Sequence, residues 1–246
     1  MKKILLTFLI VKSLNLYSQN TRVNDFNYVN WLQSINTIEL NKKWSLHTEY
    51  QWRRTDGLKN WQQSLLRIGV NFKLNENIVS HAGYAWIKTF RYGDYPIAPG
   101  NAFPEHRMYE QLSMRHQERR WSFIHRFRIE QRWLARFKPG TNEIEDWIFL
   151  HRFRYQFRTQ YSVWQHKDKQ VYLVFADEIF IGAGEGLGEN IFDQNRLFLL
   201  AGIKFSNTFA VEGGYLNQTL QQGRKINNET IMQRNNGIVL SLISNF

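Results

Sequence analysis

The segment Asn236-Gly-Ile-Val-Leu-Ser-Leu-Ile-Ser-Asn-Phe246 decides the fold. Ile238, Leu240, Leu242 and Phe246 fall on one parity, and Gly237, Ser241 and Asn245 on the other. A period of two gives a strand one apolar face and one smaller, more polar face, here with an aromatic ring as its last residue. At the edge of a sheet in water such a strand invites pairing with other chains. As the closing strand of a membrane barrel it has no free edge, its apolar face meets lipid, and its terminal ring sits at the interface. Taken alone, the segment is also compatible with the last strand of a soluble β-sandwich.

Upstream of this strand the same period recurs. Trp44, Leu46, Thr48, Tyr50 and Trp52 alternate with Ser45, His47, Glu49, Gln51 and Arg53. Leu66, Ile68, Val70, Phe72 and Leu74 oppose Arg67, Gly69, Asn71 and Lys73. Trp121, Phe123, Phe127, Ile129 and Trp133 oppose Arg126, Arg128, Glu130 and Arg132, and Phe149, Phe153, Tyr155 and Phe157 oppose Arg152, Arg154, Gln156 and Arg158. Period and aromatic content both specify strands. Eleven runs emerge, over 25–40, 43–54, 61–74, 78–88, 106–117, 120–134, 147–163, 170–181, 196–205, 208–218 and 230–246. Short polar turns at 41–43, 75–77, 118–120, 166–169 and 206–208 alternate with longer connections near 54–60, 88–105, 135–146, 182–195 and 219–229. Outer-membrane barrels sort their connections in this way, with short periplasmic turns and long external loops. The reading is therefore all-β: a transmembrane antiparallel up-and-down β-barrel of 10–12 strands. An even count is the rule for single-chain bacterial barrels. Twelve strands are favoured, the extra one from residues 19–27; the alternative is an N-terminus threaded through the lumen.

The composition agrees. Aromatic residues make up 15% of the 246 positions, with 9 Trp, 11 Tyr and 18 Phe, the residues barrels place in interfacial girdles. Mean hydropathy is −0.50, as expected when outward apolar residues are diluted by inward polar ones. Cysteine is absent, which removes disulfides, thiolate nucleophiles and cysteine metal sites. Met1-Lys-Lys-Ile-Leu-Leu-Thr-Phe-Leu-Ile-Val11 has the basic start and short apolar core of a secretory signal. Cleavage after Ser18 would leave 19–246 as the barrel, exported to the cell outer membrane.

With the aromatic parity on lipid, Arg126, Arg128, Arg132, Arg152, Arg154 and Arg158 line the lumen on two consecutive strands, and Glu130 and Glu178 face them. Energetics demand this side, because one Arg facing lipid at the midplane costs about 2–4 kcal/mol. Two readings of the cluster stay open. One is a cationic wall selecting small anionic solutes, as Arg rings do in anion pores. The other is a non-conducting barrel filled by Arg–Glu pairs, with a structural or adhesive role. The net charge of +11 does not indicate nucleic acid, since these arginines lie inside an aromatic cylinder rather than on an open face. No catalytic constellation, metal spacing or cofactor motif is expected. His125 and His151 share the lipid-facing register but stand at different heights of an antiparallel hairpin, without a serine opposite. His47 and His81 read as luminal. The glycines between Gly182 and Gly188 lack the Lys-Ser/Thr sequel of a phosphate cradle and read as a flexible loop.

Ile191-Phe-Asp-Gln-Asn-Arg196, Ala201-Gly-Ile-Lys-Phe205 and Gly213-Gly-Tyr-Leu-Asn-Gln218 resemble a family of predicted bacterial outer-membrane proteins, domain of unknown function 2490, frequent in Bacteroidetes-type genomes. Arg152-Phe-Arg-Tyr-Gln-Phe-Arg158 and Asp177-Glu178 are similar to its middle section, with Asp177 where the family pattern has Asn. The resemblance covers most of the chain after the leader. It implies fold and localisation, and no activity. Asn195 and Arg196 are placed at the outer rim as a loop root, and Gly213 and Gly214 suggest close approach or a bend. Leu240, Leu242 and Phe246 resemble the signal read by barrel-assembly machinery, which with outer-membrane lipid completes the expected partners.

Overall fold

The alternating runs become strands whose polar parity turns inward. The computed structural model describes residues 22–97, 100, 102–138, 140–184, 187 and 191–246; the leader 1–18 and its cleavage point lie outside them. Eleven strands occupy these residues. They are β1 (Arg22–Glu39), β2 (Trp44–Thr55), β3 (Asn60–Asn75), β4 (Ile78–Thr89), β5 (Phe103–Glu118) and β6 (Trp121–Phe137), followed by β7 (Ile144–His166), β8 (Lys169–Ala183), β9 (Phe192–Lys204), β10 (Phe209–Ile226) and β11 (Glu229–Asn245). Each pairs antiparallel with its sequence neighbours, and the sheet closes through β1 and β11.

The closure settles the strand count. With eleven strands the first and last run in the same direction, so the seam is parallel, from Arg22↔Thr230 to Thr37↔Asn245. Arg22–Asn27 is continuous with β1 and pairs with β11. No separate twelfth strand forms from these residues, and they lie in the wall rather than in the lumen. At the turn end the seam is locked by Phe246, whose N–H donates to the Thr37 carbonyl at 2.8 Å and whose carbonyl accepts from the Glu39 N–H at 2.6 Å.

Two of the longer connections prove tight. The β10–β11 link is only Asn227–Asn228, with φ of 48° and 66°, the left-handed pair that a two-residue hairpin turn requires. The β2–β3 link turns through Asp56, Gly57 and Leu58, all with positive φ. In both hairpins the strands continue into what the sequence reads as loop. β10 runs on to Ile226; its last residues carry Gln, Lys and Arg on both faces, so no alternation marks them as strand.

The wall is polar inside and apolar outside. On β6, Phe127 and Ile129 are 44% and 42% exposed, whereas Arg128 and Glu130 are 7% and 0%. Among the described residues, buried polar side chains outnumber buried apolar ones. Apolar packing inside is confined to two small patches, Val29/Trp31/Leu216/Val239 and Leu65/Ala85/Ile87/Tyr109.

Candidate functional site: the arginine–carboxylate lumen

The inward parity of β5 to β9 places arginines and carboxylates at matching heights. Glu130 is fully buried and is gripped by Arg152 (Nη2, 2.6 Å), Arg154 (Nη1, 2.6 Å) and, more weakly, Arg107 (Nη1, 3.4 Å). Arg154 extends its fork to Glu178 at 2.7 Å, where Arg126 joins at 2.9 Å. Arg152 reaches Asp193 at 2.7 Å. Glu105 takes Arg107 at 2.6 Å and Arg132 at 2.7 Å. These contacts form one continuous mesh from Asp193 to Arg126. Two satellites flank it, Glu49 with Arg67 at 2.7 Å and Glu212 with Arg158 at 2.5 Å. A forked guanidinium suits this arrangement because it can hold two carboxylates at once.

All six arginines expected in the lumen point into it; Arg126, Arg128, Arg152 and Arg154 meet Glu130 or Glu178, whereas Arg132 and Arg158 meet Glu105 and Glu212. Five bond directly to carboxylates. Arg128 instead sends its fork to Gln111, lies over the Tyr109 ring at 4.4 Å and stands 3.8 Å from Glu130. Arg196 departs from its expected place at the rim. It is 92% buried inside the lumen, paired in register with Glu178 and flanked by Trp31 and Phe180. Its neighbour Asn195 is on the outer face, where it donates to Asp177 at 2.9 Å and to the Glu178 carbonyl at 3.4 Å. Only Asn195 therefore supports backbone near the loop root. Leu240 and Leu242 face outward and exposed, as does Phe246.

Glu105 and Asp193 were not legible as mesh carboxylates, because both fall where the alternating runs give way to loop. The inward parity of Glu105, Arg107 and Tyr109 was the available signal for the first. His47 and His81 do point inward; His81 bonds Asn71 at 2.7 Å and Tyr109 at 3.0 Å. His125 contacts the Tyr155 hydroxyl at 2.8 Å on the outer face, and His151 packs against Phe149. The glycine-rich connection after β8 lies partly outside the described residues.

A second feature carried no periodic signal at all. The β4–β5 connection folds inward and straps the mouth at the loop end. Tyr92 is buried, with its hydroxyl bonded to Gln62, Gln233 and Asn235 at 3.1–3.2 Å. Burial pushes the Tyr92 phenol above its usual range, so it stays neutral and donates to Gln233. Asp25 accepts the Asp94 and Tyr95 N–H groups at 3.3 and 3.2 Å. Gly93, at φ 75°, passes so close that a Cβ would stand 2.5 Å from Asp25 Oδ2. Arg224 holds the Pro96 carbonyl at 2.8 Å.

Beneath the strap the lumen is divided into three cavities of 290, 200 and 270 Å³. Arg53, Arg67, Arg154 and Arg196 line both the first and the second. Arg158 and Glu212 line both the second and the third.

The molecule is thus a closed eleven-stranded β-barrel with an ionic mesh along its inner wall. The family model described as "Protein of unknown function (DUF2490)" matches residues 29–229, and the chain belongs to that family. None of the curated proteins compared with it matches.

Proposed function

We propose that the chain is exported and embedded in an outer membrane as a barrel whose lumen is closed, serving as a structural or loop-presenting element rather than as a diffusion pore for anions. The observation that carries the closed lumen is the burial of the inward side chains: Arg53, Glu130, Arg152 and Glu178 are each at most 4% exposed, and the last three belong to the mesh Asp193–Arg152–Glu130–Arg154–Glu178–Arg126. The wall that would select anions is already occupied by the protein's own carboxylates. Direct ion pairs between wall strands also fix the barrel's shape, and breaking one leaves an uncompensated charge.

Membrane placement is supported by the outer surface. Leu66, Ile68, Phe127, Ile129, Phe153, Leu199, Leu240 and Leu242 are all 41–50% exposed, an apolar girdle that soluble proteins rarely present. Strands of 12–23 residues exceed the 9–11 or so needed to cross a bilayer at a tilt. The basic, then apolar, leader supplies the export reading. Lipid is the expected partner of the girdle, and assembly machinery that of the strand ending at Phe246.

Reconstitution in planar bilayers tests the closed lumen. The protein is expected to insert without steady current. A stable, anion-selective conductance that loses selectivity in Arg152→Gln would restore the anion-pore reading.

A further inference from the structure

We infer that the boundary between the first and second cavities is a binding site for a small oxyanion of the phosphate or sulfate type, held by Arg196 and Arg53. The inference is independent of membrane placement and of whether the lumen conducts.

Arg53 and Arg196 differ from the other buried arginines. They are 2% and 8% exposed, and neither has a carboxylate partner among the described residues. Arg53 donates to Gln51 and to Gln63 at 2.7 Å, both neutral amides. Arg196 makes a single hydrogen bond there, Nε to Gln194 at 3.2 Å. Both its terminal Nη groups are left without one. The two guanidiniums converge on one ring: Cζ of Arg53 is 3.8 Å and Cζ of Arg196 5.0 Å from the centroid of Trp31. Phe180 lies 4.6 Å from Arg196 on another side.

Amides and ring faces satisfy donors and supply some negative potential, but they bring no countercharge. Two like charges buried against the same ring are strongly unfavourable unless something compensates them. The neighbouring carboxylates act on them only without direct contact, since Glu178 is held by Arg126 and Arg154 and Glu49 by Arg67. Arg196 lines the cavities on both sides, so its free fork borders space of 290 and 200 Å³. A planar fork matches two oxygens of a tetrahedral or carboxylate anion. The excess positive charge and the open donors therefore coincide at one place, bordering a cavity that reaches the strap.

The test is thermal unfolding of the refolded, detergent-solubilised protein, titrated with inorganic phosphate replacing chloride at constant ionic strength. Phosphate should raise Tm of the unaltered protein in proportion to ln(1 + c/Kd), with c the phosphate concentration, flat at low concentration and linear in the logarithm above Kd. Arg196→Gln should shift that curve to about tenfold higher phosphate, the loss expected for one charge-assisted hydrogen bond. Without phosphate, Arg196→Gln should be at least as stable as the parent, because an uncompensated charge has been removed. A merely structural arginine would show the opposite sign. Arg158→Gln, which breaks a paired arginine, should lower Tm and keep the parental phosphate curve. A Tm of the parent that phosphate leaves unchanged would overturn the site, as would an unshifted curve in Arg196→Gln. Should the Gln variant fail to fold, Arg196→Lys, which keeps the charge but loses the fork, must also need more phosphate.

Discussion

Gly237 lies opposite Val29 in the parallel ladder that closes the barrel, and a Cβ at residue 237 would stand 1.7 Å from the Val29 carbonyl oxygen. The two backbones approach more closely there than any side chain permits. Gly237→Ala should therefore force the seam apart, at a cost of about 1–3 kcal/mol, the range for overpacking a tight site. Urea unfolding midpoints would show it. Gly213→Ala is the control, since its new Cβ would meet the flexible Leu240 Cδ1 at 3.3 Å and the Val239 carbonyl oxygen at an ordinary 3.5 Å; equal losses in both variants would mean that the seam is not special.

Removing Glu130 tests the mesh. Glu130→Gln leaves the guanidiniums of Arg152 and Arg154 facing a neutral amide in a fully buried position, and should destabilise the barrel by about 3–5 kcal/mol. Combining it with Arg152→Gln should recover part of that loss, because one of the orphaned charges is removed. A double variant whose loss is the plain sum of the two single losses would show that the pair is not coupled.

The strap offers a local readout. The Asp94 and Tyr95 amides donate to Asp25 and should exchange slowly in hydrogen-exchange experiments. Asp25→Asn should speed both without changing exchange in β6. Slow exchange that persists in the variant would place the strap's anchor elsewhere.

The C-terminus was legible before any coordinates, and the reason is physical. A strand with one face buried must repeat every two residues, so the runs fell within a few residues of the strands wherever the outer face is apolar. The reading failed where both faces are polar, as over Thr219–Ile226 of β10, and there a two-residue Asn-Asn turn was taken as part of a long loop. Parity also put the six arginines and Glu130 inside. It did not reveal which carboxylate each arginine holds, since that depends on strand stagger and side-chain reach. Nor does it reveal the strap, which is held by hydrogen bonds to Asp25 and from Gln62, Gln233 and Asn235 rather than by any periodic face. Arg196 was assigned to the rim because β9 begins four residues before it, at Phe192, inside what read as loop.

Phe246 bears on assembly. Its backbone would still bond to Thr37 and Glu39 after Phe246→Asp, so any effect must come from the side chain. The variant is expected to reach the membrane in several-fold lower amount, measured as heat-modifiable protein on gels. Equal amounts would remove the terminal aromatic from the assembly account.

The orientation of the wall in lipid is the central claim, and a label scan along β6 tests it most directly. The chain has no native cysteine, so single cysteines can be placed at each position from Phe123 to Trp133 and given a spin label. In reconstituted membranes, labels at Phe123, His125, Phe127, Ile129, Gln131 and Trp133 should collide with lipid-soluble oxygen. Labels at Ile124, Arg126, Arg128, Glu130 and Arg132 should not, giving a clean period of two. Uniform access of a water-soluble relaxing agent to the Phe127 and Ile129 labels would contradict the claim.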